Sequence, residues 1–292
     1  MIRKQTLTKP EEIKQVIPLA AGRQLELSRP LVMGILNVTP DSFSDGGRYT
    51  GVEQAVNRAL QMAEEGADII DIGGESSRPG AEPVDAEVEM HRVVPVIEAL
   101  RWKSDVCVSV DTYRAQTARA AIDAGADIVN DISALRLDTA MVELVAERKV
   151  PVVLMHMQGT PRNMQIDPVY EDCVREVGDF FVNRLEFCKR HGVDKTKVVL
   201  DPGIGFGKNL SHNLELLGHL DEFTQYGCPI LVGASRKSFI GMLNPAGGSA
   251  DQRLGGSLAA AVLAVLAGAG IVRVHDVAET VEALKVVQAM RK

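Results

Sequence analysis

Short apolar runs alternate along this chain with longer segments whose apolar residues recur at helical spacing. Three similar stretches show the unit, and they read EEGADIIDIGG at 64–74, DAGADIVNDIS at 123–133 and LAGAGIVRVHD at 266–276. In each, a glycine lies where a helix commonly ends in a left-handed residue, and a β-branched run follows it. Because a continuously apolar run is typical of a strand buried on both faces of a parallel sheet, the pattern predicts repeated βα units.

The same unit recurs over most of the chain. Candidate strands lie at 31–37, 68–72, 106–110, 127–131, 151–156, 197–201, 229–233 and 271–275. Helical patterns lie at 51–65, 85–101, 114–124, 138–148, 169–191, 212–226, 253–267 and 277–290. Eight alternating units within about 260 residues predict one α/β domain, a TIM or (β/α)8 barrel.

Two other architectures need weighing against a single barrel. A length of 292 residues equally fits two average domains, but no linker or low-complexity tract divides the chain. A doubly wound open sheet usually has a G-x-G-x-x-G turn after its first strand, and none follows residues 31–37. We therefore predict the barrel over 31–292, with residues 1–30 as an N-terminal extension whose short strand or hairpin closes the barrel bottom.

The uncharged stretch 254–272 is long enough to cross a bilayer. It contains four glycines and six alanines, however, so it is only weakly apolar, and Gly268 and Gly270 interrupt it. We therefore predict a buried helix followed by a strand instead of a membrane span.

The charge balance narrows the classes of partner. The chain has 32 basic and 39 acidic residues, a formal net charge of -7 and a pI near 5.5. This balance argues against duplex nucleic acid or an anionic membrane as a partner, so an anionic ligand would need a local cluster of cations. The four cysteines have neither C-x-x-C nor metal-finger spacing, and the N-terminus has no apolar signal segment, which together predict reduced thiols in the cytoplasm.

The strand ends are the place to look for chemistry, because TIM barrels hold their active sites at the C-terminal ends of their strands. The polar residues at or just after those ends are Asn37, Asp71, Asp111, Asn130, Asp131, His156, Asp201, Ser235, Arg236, Lys237, Arg273 and His275. A single Asp or Asn at such a position often only caps the next helix. Since all eight strands end in polar residues and begin with Gly, Ala, Pro or Val, we predict an active site.

Four cations are predicted to converge on this rim, and they are Arg78, Lys237, Arg273 and His275. They suit a polyanion, because an Arg guanidinium binds phosphate with two parallel hydrogen bonds. A diphosphate normally brings Mg²⁺, held by one or two protein oxygens and by phosphate oxygens, and Asn37 is the candidate for that contact. The structural alternative for Arg273 is an ion pair with Asp276 at the end of the barrel.

Asp111, Asn130 and Asp201 form a second group that comes from three different strands. Carboxylates accept pairs of N–H bonds and an amide both donates and accepts, so the group complements a flat amino-oxo heterocycle. Lys237 would add a donor, and Met155 would pad the ring. Of two rival interpretations, a metal pair does not suit the Asn, Lys and Arg present, and a Schiff-base lysine would be expected on a strand among apolar neighbours.

Two loops are expected to approach the ligand. DPGIGFGKN at 201–209 is similar to a phosphate loop, but Pro202 replaces its first glycine and no Ser or Thr follows Lys208. We instead predict a mobile loop that approaches the ligand through Gly203, Gly205 and Phe206. NVTPDSFSDGGRY at 37–49 is long and polar and contains two adjacent glycines, as expected of a lid.

Eight segments of the chain together resemble the dihydropteroate synthase family. They are MGILNVTPDSFSDGG (33–47), GADIIDIGGESSRPGA (66–81), SVDTYR (109–114), GADIVNDIS (125–133), LMHMQGTPRNMQ (154–165), DPGIGFGK (201–208), GASRKSFIG (233–241) and RVHDV (273–277). The resemblance implies a usually dimeric TIM barrel of folate synthesis, with Mg²⁺ as cofactor, that is a target of sulfonamides. Its implied reaction joins 6-hydroxymethyl-7,8-dihydropterin diphosphate to 4-aminobenzoate and releases 7,8-dihydropteroate and diphosphate.

The resemblance also implies a role for individual residues by their motif positions. The implied pterin contacts are Asp111, Asn130, Met155, Asp201, Gly233 and Lys237. The implied diphosphate contacts are Asn37, which also holds the metal, Ser77, Arg273 and His275. The implied 4-aminobenzoate contacts are Arg78, Pro79, Phe206 and Ser235, under the lid residues Asp41 and Phe43. Arg78, Lys237, Arg273 and His275 are the implied catalytic residues, and Ser77 departs from a family pattern that often has Thr.

The implied chemistry is a displacement through a cationic pterin. Arg273, His275 and Mg²⁺ would stabilise the departing diphosphate, the site carboxylates would tolerate a positive ring, and the lid would exclude water. A pterin-binding barrel of the methyltetrahydrofolate-dependent methyltransferase kind would share the polar pterin contacts but needs no phosphate rim, which favours the synthase. A catalytically silent paralogue would be expected to lose Lys237 or Arg273, and both are present.

Overall fold

The chain folds into a ring of parallel strands surrounded by helices, as a computed structural model describes for residues 15–39, 48–76, 84–244 and 248–290. A hairpin of β1 (Val16–Pro18) and β2 (Gln24–Glu26) comes first. The barrel strands are β3 (Leu31–Asn37), β4 (Ile69–Gly73), β5 (Cys107–Asp111), β6 (Ile128–Asp131), β7 (Val152–Met155), β8 (Val198–Asp201), β9 (Leu231–Val232) and β10 (Ile271–Val274). The α-helices are α1 (Arg48–Glu64), α2 (Ala86–Arg101), α3 (Ala115–Asp123), α4 (Ala140–Arg148), α5 (Cys173–Arg190), α6 (Leu210–Gly218), α7 (Ser238–Met242), α8 (Leu254–Leu266) and α9 (Val277–Met290).

The pairing of the strands confirms the predicted TIM barrel. Neighbouring strands pair in parallel in the order β8, β7, β6, β5, β4, β3, β10 and β9. A further parallel bridge between Leu200 and Ile230 joins β8 to β9 and closes the ring. Gly66, Gly125 and Gly268, which precede β4, β6 and β10, have φ of 103°, 113° and 102°. These left-handed values confirm that each glycine ends its helix as expected, and a side chain there would strain the backbone.

The helices differ from the sequence-based prediction in two places. The helix predicted over 212–226 divides at His219, whose backbone leaves helical geometry with φ -129° and ψ 27°, into α6 and a 3-10 segment from Leu220 to Tyr226. The short helix α7 lies inside the loop after β9 and adds a ninth α-helix among the described residues. Its five residues are too few for a recognisable apolar period, so the pattern could not indicate it.

Two layers of side chains fill the barrel interior, and their difference positions the site. The lower layer is apolar and consists of Leu31, Met33, Ile69, Cys107, Ile128, Val153, Val199, Leu231 and Ile271. Side chains of a strand alternate between its two faces, so the residue two positions later also points inward. Those next residues on seven consecutive strands are Asp71, Ser109, Asn130, Met155, Asp201, Gly233 and Arg273. Five of these seven residues are polar, so the interior changes from apolar to mostly polar over one strand step toward the C-terminal ends.

The N-terminal hairpin packs against this apolar layer. Ile17 is fully buried and Leu19 nearly so, and both belong to the same apolar cluster as Met33 and Ile69. The predicted hairpin is therefore confirmed, whereas a domain boundary at residue 30 stays a prediction.

The stretch 254–272 forms α8 and the first part of β10, as predicted. None of the helices in the described ranges is long and apolar enough to span a membrane. The four cysteines are buried and free of disulfide bonds.

Candidate active site

A cavity of about 350 Å³ opens above the polar layer of the barrel. It is lined by Asp111, Asn130, Ile132, Met155, Asp201, Gly203, Ile204, Phe206, Gly233, Lys237 and Arg273. All six residues that the sequence resemblance implies as pterin contacts are among them. Phe206, implied for 4-aminobenzoate, and Arg273, implied for diphosphate, line the same space. Residues from five strands and from the three loops after β6, β8 and β9 thus meet at one place, as the strand-end argument predicts.

Arg273 is held between two carboxylates across the barrel mouth. Its Nε lies 2.6 Å from Oδ2 of Asp71, and its Nη2 lies 2.7 Å from Oδ2 of Asp111. The Nδ2 atom of Asn130 also donates to Oδ2 of Asp71, at 3.0 Å. Asp276, the partner considered in the sequence analysis, binds Arg236 instead, with Nε 3.0 Å from Oδ2. Arg273 therefore does form an ion pair, but its partners are Asp111, which lines the cavity, and Asp71, which lies beneath it.

Asp71 belongs to the site, although the sequence analysis, which names it among the strand-end residues, gives it no role there. It is fully buried, and its Oδ2 accepts from Asn130 and Arg273 while its Oδ1 has no hydrogen-bond partner among the described residues. The sequence feature that could have identified Asp71 is its position two residues after Ile69, which places it on the inward face of β4. Asp71 holds the side chains of Asn130 and Arg273 in place, and it supplies negative charge beneath the cavity.

Burial brings three ionisable groups of the cavity close to neutral pKa values. Burial, together with the charges of Asp71 and Glu89, raises the pKa of Asp111 to about 7 although Arg273 and Lys237 oppose this. Burial also raises the pKa of Asp201 to about 6 and, aided by the charge of Arg273, lowers the pKa of Lys237 to about 8. Ligand contacts can therefore shift protons in this site near pH 7, as is common in active sites.

The loop 201–209 lies closely against the end of β7. The Gly203 amide donates to Oδ1 of Asp201 at 2.7 Å, which turns the chain sharply after β8. Gly203 and Gly207 have φ of 68° and 61°, and a Cβ atom at either would collide with the backbone of His156 or Gln158. Only glycine can approach a neighbouring chain so closely, which explains the glycines of this loop, and the predicted mobility of the loop stays a prediction.

Phe206 and Lys237 are in direct contact at the cavity wall. The Nζ atom of Lys237 lies 4.0 Å from the centre of the Phe206 ring, a cation–π geometry. Phe206 also packs with Met155 in a small apolar cluster beside the cavity. The candidate pterin contacts and the candidate aminobenzoate contact therefore share one boundary, as two substrates that become joined would require.

Ser235 and His275 contact each other beside the cavity but do not line it. The Oγ atom of Ser235 lies 3.0 Å from Nδ1 of His275 and accepts from the His275 amide at 3.2 Å. Burial, with the charges of Arg273 and Arg236, lowers the pKa of His275 to about 4. His275 is therefore neutral near pH 7, so it is a hydrogen-bonding group instead of the cation expected from the sequence.

Comparison with known proteins decides the family. The profile of the family described as pterin binding enzyme matches residues 33–275. A dihydropteroate synthase of Escherichia coli (strain K12) is 52% identical over 270 residues, which cover 92% of this chain and 95% of that protein. The chain belongs to the dihydropteroate synthase family.

Solved dihydropteroate synthases share the architecture. The enzyme of Xanthomonas albilineans, solved with 4-aminobenzoic acid, has a TM-score of 0.89 and 49% identity, covering 95% of this chain and 98% of that chain. The dihydropteroate synthase of Yersinia pestis, solved in a sulfonamide drug complex, has a TM-score of 0.87 and 51% identity, covering 93% and 98%. Membership of the dihydropteroate synthase family makes this protein a transferase of folate synthesis.

Asn37, which the dihydropteroate synthase resemblance implies as the metal contact, ends β3 at the barrel mouth. It pairs in register with Gly73, which pairs with Asp111. Its side chain is partly exposed and makes no hydrogen bond to another described residue. In the same ranges no group of three or more His, Cys, Asp or Glu could hold a metal ion. One amide oxygen therefore fits a Mg²⁺ ion that takes its other ligands from diphosphate and water.

The remaining candidate residues of the dihydropteroate synthase motifs lie outside the described ranges. They are Asp41, Phe43, Ser77, Arg78 and Pro79. Their roles stay predictions from the sequence resemblance.

Proposed function

We propose that this enzyme joins 6-hydroxymethyl-7,8-dihydropterin diphosphate to 4-aminobenzoate in the cavity above the polar layer, with 7,8-dihydropteroate and diphosphate as products. The observation that carries this assignment to the cavity is the convergence of Asp111, Asn130, Asp201 and Lys237 around one space beside Phe206. Their chemistry matches a flat heterocycle that must lie next to a second aromatic substrate.

The four polar residues can together form hydrogen bonds with the edge of a pterin. Ionised Asp111 and Asp201 accept the N–H groups of the amino-pyrimidine ring, and Asn130 can both donate and accept. Lys237 donates to a ring oxygen or nitrogen. Met155, which is 3% exposed, supplies an apolar surface for the flat face, and Gly233 leaves that side of the cavity free of a side chain. These contacts bind the pterin and fix its orientation.

In the proposed reaction, the bond from the pterin methylene carbon to the diphosphate oxygen breaks and a bond to the aryl nitrogen forms. The amine loses one proton, and the diphosphate leaves with the bonding electron pair. Arg273 is held at the mouth by Asp71 and Asp111, from where its guanidinium can bind the departing oxygens. Neutral His275 can donate one N–H to them. The aryl amine is weakly basic and needs no strong general base.

Mg²⁺ would neutralise part of the diphosphate charge when bound, and Asn37 is the residue that we propose as its contact. Chelation by EDTA should slow turnover and weaken binding of the pterin diphosphate far more than binding of the bare pterin alcohol. Calorimetry of both ligands, with and without restored Mg²⁺, measures the difference. If EDTA changes neither affinity nor turnover, Asn37 is a donor to phosphate and holds no metal.

The test of the reaction itself is a coupled assay for diphosphate release. Release should require both substrates, and dihydropteroate should form in equal amount. Methyl transfer from methyltetrahydrofolate is the matched control, because the methyltransferase barrels share the polar pterin contacts. Methyl transfer without diphosphate release would contradict the proposal.

Affinity for the bare pterin alcohol should be highest between about pH 7 and pH 8. Below this window Asp201, with a pKa of about 6, and Asp111, with a pKa of about 7, take up protons and lose acceptor capacity. Above it Lys237, with a pKa of about 8, loses its charge. Calorimetry from pH 5.5 to 9.5 checks the bell shape, and a flat profile would exclude these three groups from ring recognition.

The assembly and the location of the protein are further proposals. We propose a homodimer through the outer face of α8 and α9, where Leu263 and Leu266 on α8 and Val286 and Met290 on α9 are exposed. Sedimentation of the wild type and of Leu263→Glu tests this interface. Free cysteines suit a reducing compartment, which supports the cytoplasm. Sulfonamides, bound by the Yersinia pestis relative, are proposed ligands of the aminobenzoate side.

A further inference from the structure

A buried lysine outside the cavity has a set of partners that the reaction does not explain. Lys208 is 2% exposed, and its Nζ lies 2.9 Å from Nδ1 of His156, 2.9 Å from the carbonyl oxygen of Phe206 and 3.4 Å from the carbonyl oxygen of His156. Within the described ranges it forms no ion pair with a carboxylate. The charge is therefore held by uncharged acceptors alone.

The protonation of His156 makes these contacts consistent. Burial, aided by the charges of Lys208 and Arg136, lowers the pKa of His156 to about 2. The imidazole is therefore neutral, and Nδ1 can accept a hydrogen bond. An ammonium has three donors and no acceptor, and here it meets three acceptors. Lys208 is thus satisfied only if the end of β7 and the loop 201–209 keep their present spacing.

Lys208 joins the two walls of the cavity that face different substrates. His156 directly follows Met155, which lines the proposed pterin site, and Phe206 lines the proposed aminobenzoate site. The same loop has two neutral ties, because Gln165 donates to the Gly205 carbonyl at 2.7 Å and Tyr170 to the Gly207 carbonyl at 2.8 Å. Among the residues that the structure describes, only Lys208 binds the carbonyl oxygen of Phe206. Lys208 therefore ties the backbone that carries the phenyl ring to the end of β7.

An apolar side chain at position 208 would avoid the free-energy cost of burying a charge. Burying an ammonium without a counter-ion is unfavourable, and this desolvation lowers the pKa of Lys208 to about 7. A side chain of the same length without charge would avoid the cost but would leave the two carbonyl groups unbound. The buried Lys208 therefore lowers the stability of the fold but fixes a contact between the loop 201–209 and the end of β7. Such an exchange of stability for function is common near active sites.

We propose that Lys208 is a positioning residue for 4-aminobenzoate, which it serves by tying the Phe206 wall to the end of β7. The proposal depends on the proposed function, because it takes Phe206 as an aminobenzoate contact. Loss of Lys208 should weaken binding of 4-aminobenzoate and leave binding of the pterin intact.

The test compares Lys208→Met with the wild type at pH 7. We expect the KM for 4-aminobenzoate to rise on the order of tenfold or more, because the hydrogen bonds of the Lys208 Nζ to His156 and Phe206 are lost. The affinity for the bare pterin alcohol should change less than about threefold. The pterin alcohol is a suitable reference ligand, because Lys208 has the smallest effect of the three cations that lower the pKa of Asp201. Lys208→Gln keeps two N–H donors, so its KM should rise less.

Two further variants make the result specific. Lys197→Met is the matched control, because the Lys197 Nζ also binds a carbonyl, that of Pro18, at 2.9 Å and at the opposite end of the barrel. It should leave both substrate parameters unchanged. Phe206→Ala tests the underlying assignment, and it should raise the same KM.

The outcomes separate the proposal from the proposed function. An unchanged aminobenzoate KM in both Lys208 variants, while Phe206→Ala raises it, would overturn the role of Lys208 alone. An equal loss of both substrate affinities would also overturn it, since that loss is expected of a general packing defect. An unchanged KM in Phe206→Ala would instead refute the placement of 4-aminobenzoate at this wall. If Lys208→Met does not fold, Lys208→Gln decides by the same two measurements.

Discussion

Replacement of Arg273 by alanine should lower kcat/KM for the pterin diphosphate by roughly a hundredfold or more, because a preorganised cation at a departing anion contributes on this scale. The structure adds a second effect. Asp71 is fully buried and would lose its cation, so the melting temperature should fall as well. The structural ion pair and the leaving-group contact are therefore not exclusive interpretations of Arg273.

Matched variants separate the two contributions of Arg273. Arg273→Lys keeps a charge beside Asp71 but cannot bridge two carboxylates, so it should recover more stability than activity. Arg101→Ala is the control for a broken ion pair, because Arg101 binds the buried Asp127 at the opposite end of the barrel, at 2.5 Å. It should lower the melting temperature without a comparable loss of kcat/KM. If the stability loss of Arg273→Ala explains its whole activity loss, Arg273 has no role at the leaving group.

Pterin affinity in Arg273→Ala should depend more strongly on pH than in the wild type. Arg273 lowers the pKa of Asp111, so its removal raises that pKa further above about 7. At pH 6.5 the carboxyl group would then be protonated and the bare pterin would bind weakly. At pH 8.5 Asp111 would ionise again, and Lys237 would keep more of its charge than in the wild type because Arg273 no longer lowers its pKa, so much of the affinity should return. Calorimetry of the pterin alcohol at both values checks this recovery.

Replacement of Asp111 by asparagine should weaken binding of the bare pterin alcohol on the order of ten- to a hundredfold. The amide replaces an acceptor pair with one acceptor and one misplaced donor, and it also removes the ion pair to Arg273. Calorimetry at pH 8, where the wild-type carboxyl is ionised, measures the effect. Unchanged pterin affinity would refute the assignment of Asp111 to the ring.

The stability of Asp111→Asn relative to the wild type should increase as the pH rises, although its pterin affinity is lower. The folded-state pKa of Asp111 is raised from 3.8 to about 7, so its contribution to stability is present below about pH 4 and is lost as the pH rises through 7. Asparagine does not titrate. The melting temperature of Asp111→Asn relative to the wild type should therefore improve from pH 4 to pH 8. A pH-independent difference would contradict the raised pKa.

The barrel and the place of its active site could be predicted from the pattern of residues alone. The candidate strands were short runs rich in apolar residues, and Gly66, Gly125 and Gly268 before three of them took the left-handed conformation that ends a helix. The residues implied for the pterin were found together because the C-terminal ends of barrel strands meet at one mouth, whatever their distance along the chain. Local pattern and motif spacing were sufficient for this, since both follow from the period of a strand.

The partners of the site residues could not be predicted in the same way. Asp71 was named among the strand-end residues but was given no role, because the pattern does not show that it lies beneath Asn130 and Arg273. The ion-pair alternative for Arg273 named the nearby Asp276, whereas the guanidinium binds Asp71 and Asp111, and Asp111 is 162 positions away. Such pairs join strands that are not neighbours, and they form because the closed ring brings side chains together across its mouth.

The sequence by itself thus determined the strand order, the polar mouth and the residue types that meet there. Only the tertiary structure decided which acceptor each cation binds, that His275 is neutral, and that Asp111 and Lys237 have pKa values of about 7 and 8. The physical reason is that a pKa and an ion pair depend on burial and on distances between groups from different strands. The sequence lists those groups, but folding sets how far they lie from water and from each other.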